Sequence, residues 1–253
     1  MTAAHPPHWP VYPLTEVAEL TLGKMLDRAK RTAGRPLPYL RNINVRWGHF
    51  ELSDLLQMPF EENELERYGL RKGDVLICEG GEPGRAAVWP GSANLILFQK
   101  ALHRVRCTRA LEPQWLAYQL KHDAEQGLLS RRFTGTTIKH FTGSALREYP
   151  VALPPLNEQR RIIAKLEALF AGVGRARGAL AQVTALGGPT PPESLLARLE
   201  ASILAKAFRG ELVPQDAADA PTSALLQQIP AERLPADNEP SSRHKRRSET
   251  RSG

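Results

Sequence analysis

Apolar positions along the chain follow two regimes that meet near Leu153. Up to that point they come in short runs broken by glycine and proline. The stretch "GDVLIC", Gly73 to Cys78, is a continuous apolar run after a glycine turn, and it leads through "EGGEPGR" into "AAVW", which reads as strand, loop, strand. In "EPQWLAYQL" Pro113 takes the first helical position and Leu116 and Leu120 share a face. "YPVAL" puts Tyr149, Val151 and Leu153 on one side, a half-buried strand that Pro154 and Pro155 stop. Residues 1–153 therefore form one mixed α and β domain.

Beyond the prolines the period changes. Ile162, Leu166, Leu169, Val173, Ala176, Leu180 and Val183 alternate spacings of four and three, the seam of a coiled coil. Asn157 is the expected cap. Gly172, Gly174 and Gly178 each weaken the helix by about 1 kcal/mol relative to alanine, so it needs a partner. After "GGPTPPE" a second helix starts with Thr190 as cap, Pro191 in the first turn and Glu193 completing a capping box. Leu196, Leu199, Ile203, Ala207 and Phe208 form its apolar stripe, and Gly210 ends it. Residues 154–213 thus form a helical region. Residues 214–253, with one short apolar patch "ALLQQI" among Pro, Ser and charges, are expected to be mostly disordered.

The 253 residues carry a net charge of +7. An acidic stretch from Pro214 to Ser242 and a basic one from Arg243 onward cancel, so residues 1–213 hold the whole excess. A basic body suits an anionic partner such as nucleic acid, and equally an ordinary soluble surface. Two cysteines, Cys78 and Cys107, are too few for a disulfide framework. With no secretory pattern in "MTAAHPPHWP" and no apolar run beyond "LILF", a soluble cytoplasmic protein without membrane contact is expected.

Catalytic motifs are missing. "EGGEPGR" lacks the Lys-Ser/Thr pair of a phosphate loop and is flanked by strands, so it reads as a tight β turn. Asp74 and Glu79 form no nuclease carboxylate set, since no lysine follows at the required place. The histidines lack zinc spacing, and "LPPLN" is not the methyltransferase Asn/Asp-Pro-Pro-aromatic motif.

Three stretches suit DNA contact. "YLRNINVRWGHF" gathers Arg41, Asn42, Asn44, Arg46, Trp47 and His49, and Arg and Asn pair bidentately with guanine and adenine edges. A strand over "FQKALHRVRC" puts Lys100, Leu102, Arg104 and Arg106 on one side, either a basic row along a phosphate backbone or a solvated face. "TGTTIKHF" offers Thr136, Thr137, Lys139 and His140. Arg85, which closes the "EGGEPGR" turn, joins these candidates.

The order "HWPVYPLTEVAEL", "YLRNINV", "LRKGDVLICEGGEPGRAAVW", "FQKALHRVRC", "GTTIKHF", "VALPPLNEQRRIIAKLEALF" and "SILAKAFRGELVPQD" resembles the specificity subunit of type I restriction-modification systems. The resemblance covers almost everything up to about Pro214. It implies an α+β fold: a mixed α/β target recognition domain, then long coiled-coil-forming helices. It also implies a non-catalytic chain that reads one half of a split double-stranded DNA site and docks modification subunits, with restriction and motor subunits completing the complex. That complex would be a site-specific deoxyribonuclease and adenine methyltransferase. No cofactor is expected on this chain, S-adenosylmethionine, ATP and Mg belonging to partner subunits. Such subunits have two recognition domains and two spacers, whereas one of each is found here. A homodimer paired through Ile162, Leu166, Leu169, Val173 and Leu180, with Ile203 and Phe208 at the partner interface, is one reading. A truncated gene product is another, and the recognition part of a stand-alone restriction endonuclease or methyltransferase is a third.

Overall fold

Val75, Leu76, Ile77 and Cys78 are each sealed from solvent, as an apolar run covered on both faces of a sheet must be. The computed structural model of the chain describes residues 5–25, 34–186 and 193–227. In chain order the elements begin with β1 (Val11–Pro13), α1 (Leu14–Val17), β2 (Ala18–Leu22), β3 (Arg35–Leu40), β4 (Val45–Arg46), β5 (His49–Phe50), β6 (Leu56–Phe60) and α2 (Leu65–Tyr68). There follow β7 (Val75–Cys78), β8 (Ala86–Val88), β9 (Leu97–Phe98), β10 (Leu102–Cys107), α3 (Pro113–Glu125), α4 (Gly143–Arg147) and β11 (Pro150–Ala152). Three helices complete the order: α5 (Leu156–Ala185), α6 (Glu193–Phe208) and α7 (Thr222–Gln227). Among the described residues no helix is long and apolar enough to cross a membrane.

Strands β2, β10, β7 and β8 form one antiparallel sheet in that order. A second sheet has the order β6, β3, β9, with β3 and β9 parallel, while β1 pairs with β11 and β4 with β5. Alternation along β7 sends Val75 and Ile77 into the main core with the helices. Leu76 and Cys78 go into a smaller core with Leu40, Trp89 and Phe98. Strand β11 is buried on both sides, Ala152 as well as Val151, because α3 covers what the alternation left open. Trp115 Nε1 donates to Ala152 O at 2.7 Å, and Gln119 bridges Pro150 O (2.8 Å) and Ala152 N (3.1 Å).

The rod joins the domain through a side-chain clamp. Pro155, not Asn157, takes the cap position of α5, so Asn157 lies inside the first turn. Gln159, fully buried, donates to Ala110 O (2.8 Å) and Pro154 O (2.9 Å) and accepts from Glu112 N (2.9 Å). Arg160 adds a bond to the Glu112 carboxylate at 2.6 Å. The α5 helix then runs through all three glycines for about 45 Å.

Half of the heptad seam is occupied within the chain. Ile162 and Leu166 are fully buried against Leu204, Ala207 and Phe208 of α6 and the indole of Trp115, whose ring centroid lies 4.8 Å from that of Phe208. The two helices run antiparallel, with Arg177 paired to Glu200 at 3.2 Å. Val173 is also buried, Leu169, Leu180 and Ile203 are half-buried, and Ala176 and Val183 are exposed. The Thr190 and Pro191 start signals lie outside the described residues. At the far end of α6, Gly210 adopts φ +72° while Glu211 N reaches back to Lys206 O at 3.0 Å, a left-handed cap. A Cβ there would stand 2.6 Å from Pro6 Cγ.

Within the segment expected to be mostly disordered, residues 214–227 are held in place. Arg161 holds both oxygens of Asp219 (3.1 and 2.6 Å), and Thr222 Oγ1 donates to Leu153 O at 3.1 Å. Leu225 and Leu226, from the one apolar patch of the tail, pack against the main core. This segment straps the domain to the rod. The remaining tail, 228–253, lies outside the described residues. Beside the strap, Glu158 is buried, and burial raises its carboxyl above the usual range although His8 and Arg161 oppose the shift.

Two outcomes follow for this junction. Gln159→Ala strands two carbonyls and one amide in the interior, so it is expected to lower unfolding free energy by about 3 kcal/mol in urea titration. Glu158 takes up a proton more readily folded than unfolded, so its contribution to stability falls as pH rises past the unfolded carboxyl value. Glu158→Gln lacks that loss. It is expected to be more stable than the parent chain at pH 7, with the gap closing below about pH 4; a gap that does not change with pH refutes the assignment.

Candidate nucleic-acid interface

Two loops meet over Gly80. Asn42 Nδ2 donates to Gly80 O at 3.1 Å, and the His140 ring lies 3.3 Å from the point a Cβ on Gly80 would occupy. Phe141 N donates to Glu79 O at 2.8 Å, and Gly48 N to Ala86 O at 3.1 Å. The connection between β7 and β8 is the tight turn the sequence suggests, and it is the floor on which residues 41–49 and 134–140 sit.

The first loop is held almost entirely by its own polar side chains. Asn44 is buried, accepts from Arg41 N at 2.9 Å and donates to Glu51 O (3.0 Å) and Asp54 O (3.3 Å). Arg41 is engaged with Asp54 through its carbonyl (2.9 Å) and carboxylate (2.6 Å). Asn42 accepts from Ile43 N at 3.0 Å, and its own carbonyl receives Arg85 Nη2 at 2.9 Å. Glu82 links the floor to the hairpin of β4 and β5, accepting Trp47 Nε1 (2.9 Å) on one oxygen and Arg85 Nη1 (2.6 Å) on the other.

These partners correct several candidates. Asn44 and Arg85 are buried and, with Arg41 and Asn42, hold the loop in place; the polar groups that suggested base contact are committed to backbone and carboxylate partners within the protein. The basic row on β10 is also corrected. Arg104 is 2 % exposed and donates to Arg67 O (2.7 Å), Gly69 O (3.2 Å) and Thr21 Oγ1 (3.0 Å). Burial lowers its guanidinium to about 10. Arg106 is bidentate on the buried Asp74 carboxylate at 2.8 and 3.2 Å. The alternation placed them on one face as predicted, but that face turns inward. Lys100 stands in the turn before β10 and is exposed.

What remains facing solvent is compact. Arg46 and Trp47 are half-exposed, and His49 is exposed with Nδ1 3.2 Å from Trp47 O. Thr136, Thr137 and Lys139 are exposed on the second loop, with His140 half-buried behind them. Arg46, Lys100 and Lys139 make no ion pair among the described residues. The second loop is closed by paired bonds between Thr134 and His140, both 2.9 Å. It turns on Gly135 at φ +90°, where a Cβ would stand 2.1 Å from Ile138 O.

Neighbouring titratable groups are built for packing. His103, on β10, is pushed down to about 4 by burial and lies with Nε2 3.2 Å from Phe141 O, so the neutral ring anchors the second loop. Cys78 is pushed up to about 11 by burial, Arg85 opposing, which leaves an unreactive thiol. Neither Glu82 nor the Gly80–Gly81 floor stood out as a site residue in the sequence. Two glycines directly after a buried strand were the available signal, since they allow neighbouring chains to come close.

This arrangement, a mixed α and β domain carrying convergent loops and a docked helical rod, matches a described class. Residues 6–184 match the type I restriction modification DNA specificity domain family. The chain belongs to that family. It is similar to the EcoKI specificity subunit of Escherichia coli (strain K12), 30% identical over 82% of this chain and 46% of that one. The EcoBI specificity subunit of Escherichia coli is 27% identical over 81% of this chain and 44% of its own. Among solved structures, the HsdS subunit from Thermoanaerobacter tengcongensis superposes with TM-score 0.52 at 28% identity, covering 83% of this chain and 47% of that one. The chain spans about half the length of the curated relatives it matches.

Proposed function

We propose that this chain reads one half of a split double-stranded DNA site through the loops at 41–49 and 134–140, and presents the α5–α6 rod to modification subunits. The observation that carries the reading is the convergence, over one glycine floor, of two rigid loops whose exposed groups are hydroxyls, imidazoles and unpaired cations. The chain itself contributes recognition only; S-adenosylmethionine, ATP and Mg would be held by the modification and motor subunits. Fluorescence anisotropy with mixed-sequence duplexes tests the DNA assignment. Binding is expected to weaken linearly on a double-logarithmic salt plot, and Lys139→Ala to make the slope shallower by about one. A slope unaffected by Lys139→Ala, or no binding at low salt, overturns it.

A second copy is the proposed partner of the distal rod. Ile162, Leu166 and Phe208 serve the internal core, which withdraws them from the pairing surface the heptad suggested. Val183, Leu186, Leu195 and Leu199 are 48%, 88%, 55% and 47% exposed, an apolar tip that α5 and α6 leave uncovered. Sedimentation equilibrium is expected to show a dimer at micromolar concentration and a folded monomer for the double variant Leu186→Asp, Leu199→Asp. A parent chain that stays monomeric refutes pairing.

A further inference from the structure

We propose that Ile138 and Ile43 read the 5-methyl group of thymine, so that the recognised half-site contains A·T pairs where these two loops lie. This rests on the DNA-facing reading of the loops. Isolated apolar residues on a surface carry little meaning by themselves. These two differ in placement and in rigidity.

Ile138 is 66% exposed, more than any other large apolar side chain described outside the helical rod, and its neighbours Thr136, Thr137 and Lys139 are all polar and exposed. Ile43 is 49% exposed and stands between Asn42 and Asn44, both tied to backbone groups. The two residues belong to the two loops that both lie against Gly80. Neither loop has slack: one is pinned by the Asn44 bonds, the other by the Thr134–His140 pair and the tight turn at Gly135. A β-branched side chain on such a backbone has little rotamer freedom left to lose on contact.

The chemistry then selects the ligand. In the major groove only thymine offers a methyl group, and the other base edges present donors and acceptors that an isoleucine would desolvate without replacing. The exposed hydroxyls and Lys139 beside Ile138 supply phosphate contacts that carry no sequence information. Apolar side chains are therefore the part of this surface that can distinguish A·T from G·C without a committed hydrogen-bonding group.

The test is selection of binding sites by the full chain from a random duplex library, followed by replacement of each thymine in the selected motif with deoxyuridine, which lacks only the methyl. Each contacted thymine is expected to lose about fourfold in affinity on replacement. Ile138→Ala and Ile43→Ala are each expected to abolish that loss at one thymine and relax the motif there, with thermal unfolding and salt slope unchanged. A selected motif in which every thymine can be replaced without loss overturns the inference, and so does full deoxyuridine sensitivity in both variants. Since the replacement is made in the DNA, the first result does not depend on any variant folding. A parent chain that binds but selects no motif overturns the DNA-reading assignment itself, a distinct outcome from the other two.

Discussion

The carboxamide of Gln159 fixes the direction of a rod about 45 Å long. It has two donors and an acceptor, and it spends them on Ala110 and Glu112, just before α3, and on Pro154, just before α5. Leverage explains why a side chain with no freedom is needed. A rotation of about 10° at the joint would move the tip of α5 by roughly 8 Å, more than two base-pair steps of the 3.4 Å DNA rise. Any measuring role for the helices depends on that angle being held.

The surrounding packing serves the same end. Phe208 returns from the far helix to stack near Trp115, whose indole nitrogen is bonded to β11, and Trp9 closes on Trp115 at a centroid distance of 5.4 Å. The strap at Asp219 and Thr222 crosses the joint from outside. Domain and rod thus share one core at their junction, and they share it through groups distant in sequence. Separating them would expose both aromatic and polar surface together.

The strands at Val75–Cys78 and Ala86–Val88, the helix opening at Pro113 and the switch at Pro154 were legible in the sequence because each rests on local periodicity or on proline geometry. The occupant of the heptad seam was not. Ile162 and Leu166 declare an apolar face, but spacing cannot distinguish a second molecule from α6 of the same chain. The basic row failed for a similar reason. Alternation correctly put Arg104 and Arg106 on one side of a strand, yet the Asp74 carboxylate and the carbonyls at Arg67 and Gly69 that receive them come from more than thirty residues away. Long cationic side chains can turn inward whenever such acceptors exist, so charge alone does not establish a surface. The tail shows the converse: Leu225 and Leu226, from its one apolar patch, pack against the main core.

The loops over Gly80 divide their polar residues into two kinds. Asn44, Asn42, Arg41 and Arg85 face the protein and set the backbone path; Arg46, Lys139 and the threonines at 136 and 137 face away from it. Sequence reading grouped them because Arg and Asn serve both purposes with the same atoms. On the proposed DNA-facing reading of these loops, the separation governs how recognition would change. A substitution among the inward set releases buried hydrogen-bonding groups and shifts the whole loop, losing affinity for every sequence at once. A substitution among the outward set leaves the frame standing and alters one contact. On that reading, new specificities would be reached through a handful of exposed positions on an unchanged floor, while the joint at Gln159 keeps the rod at the same angle.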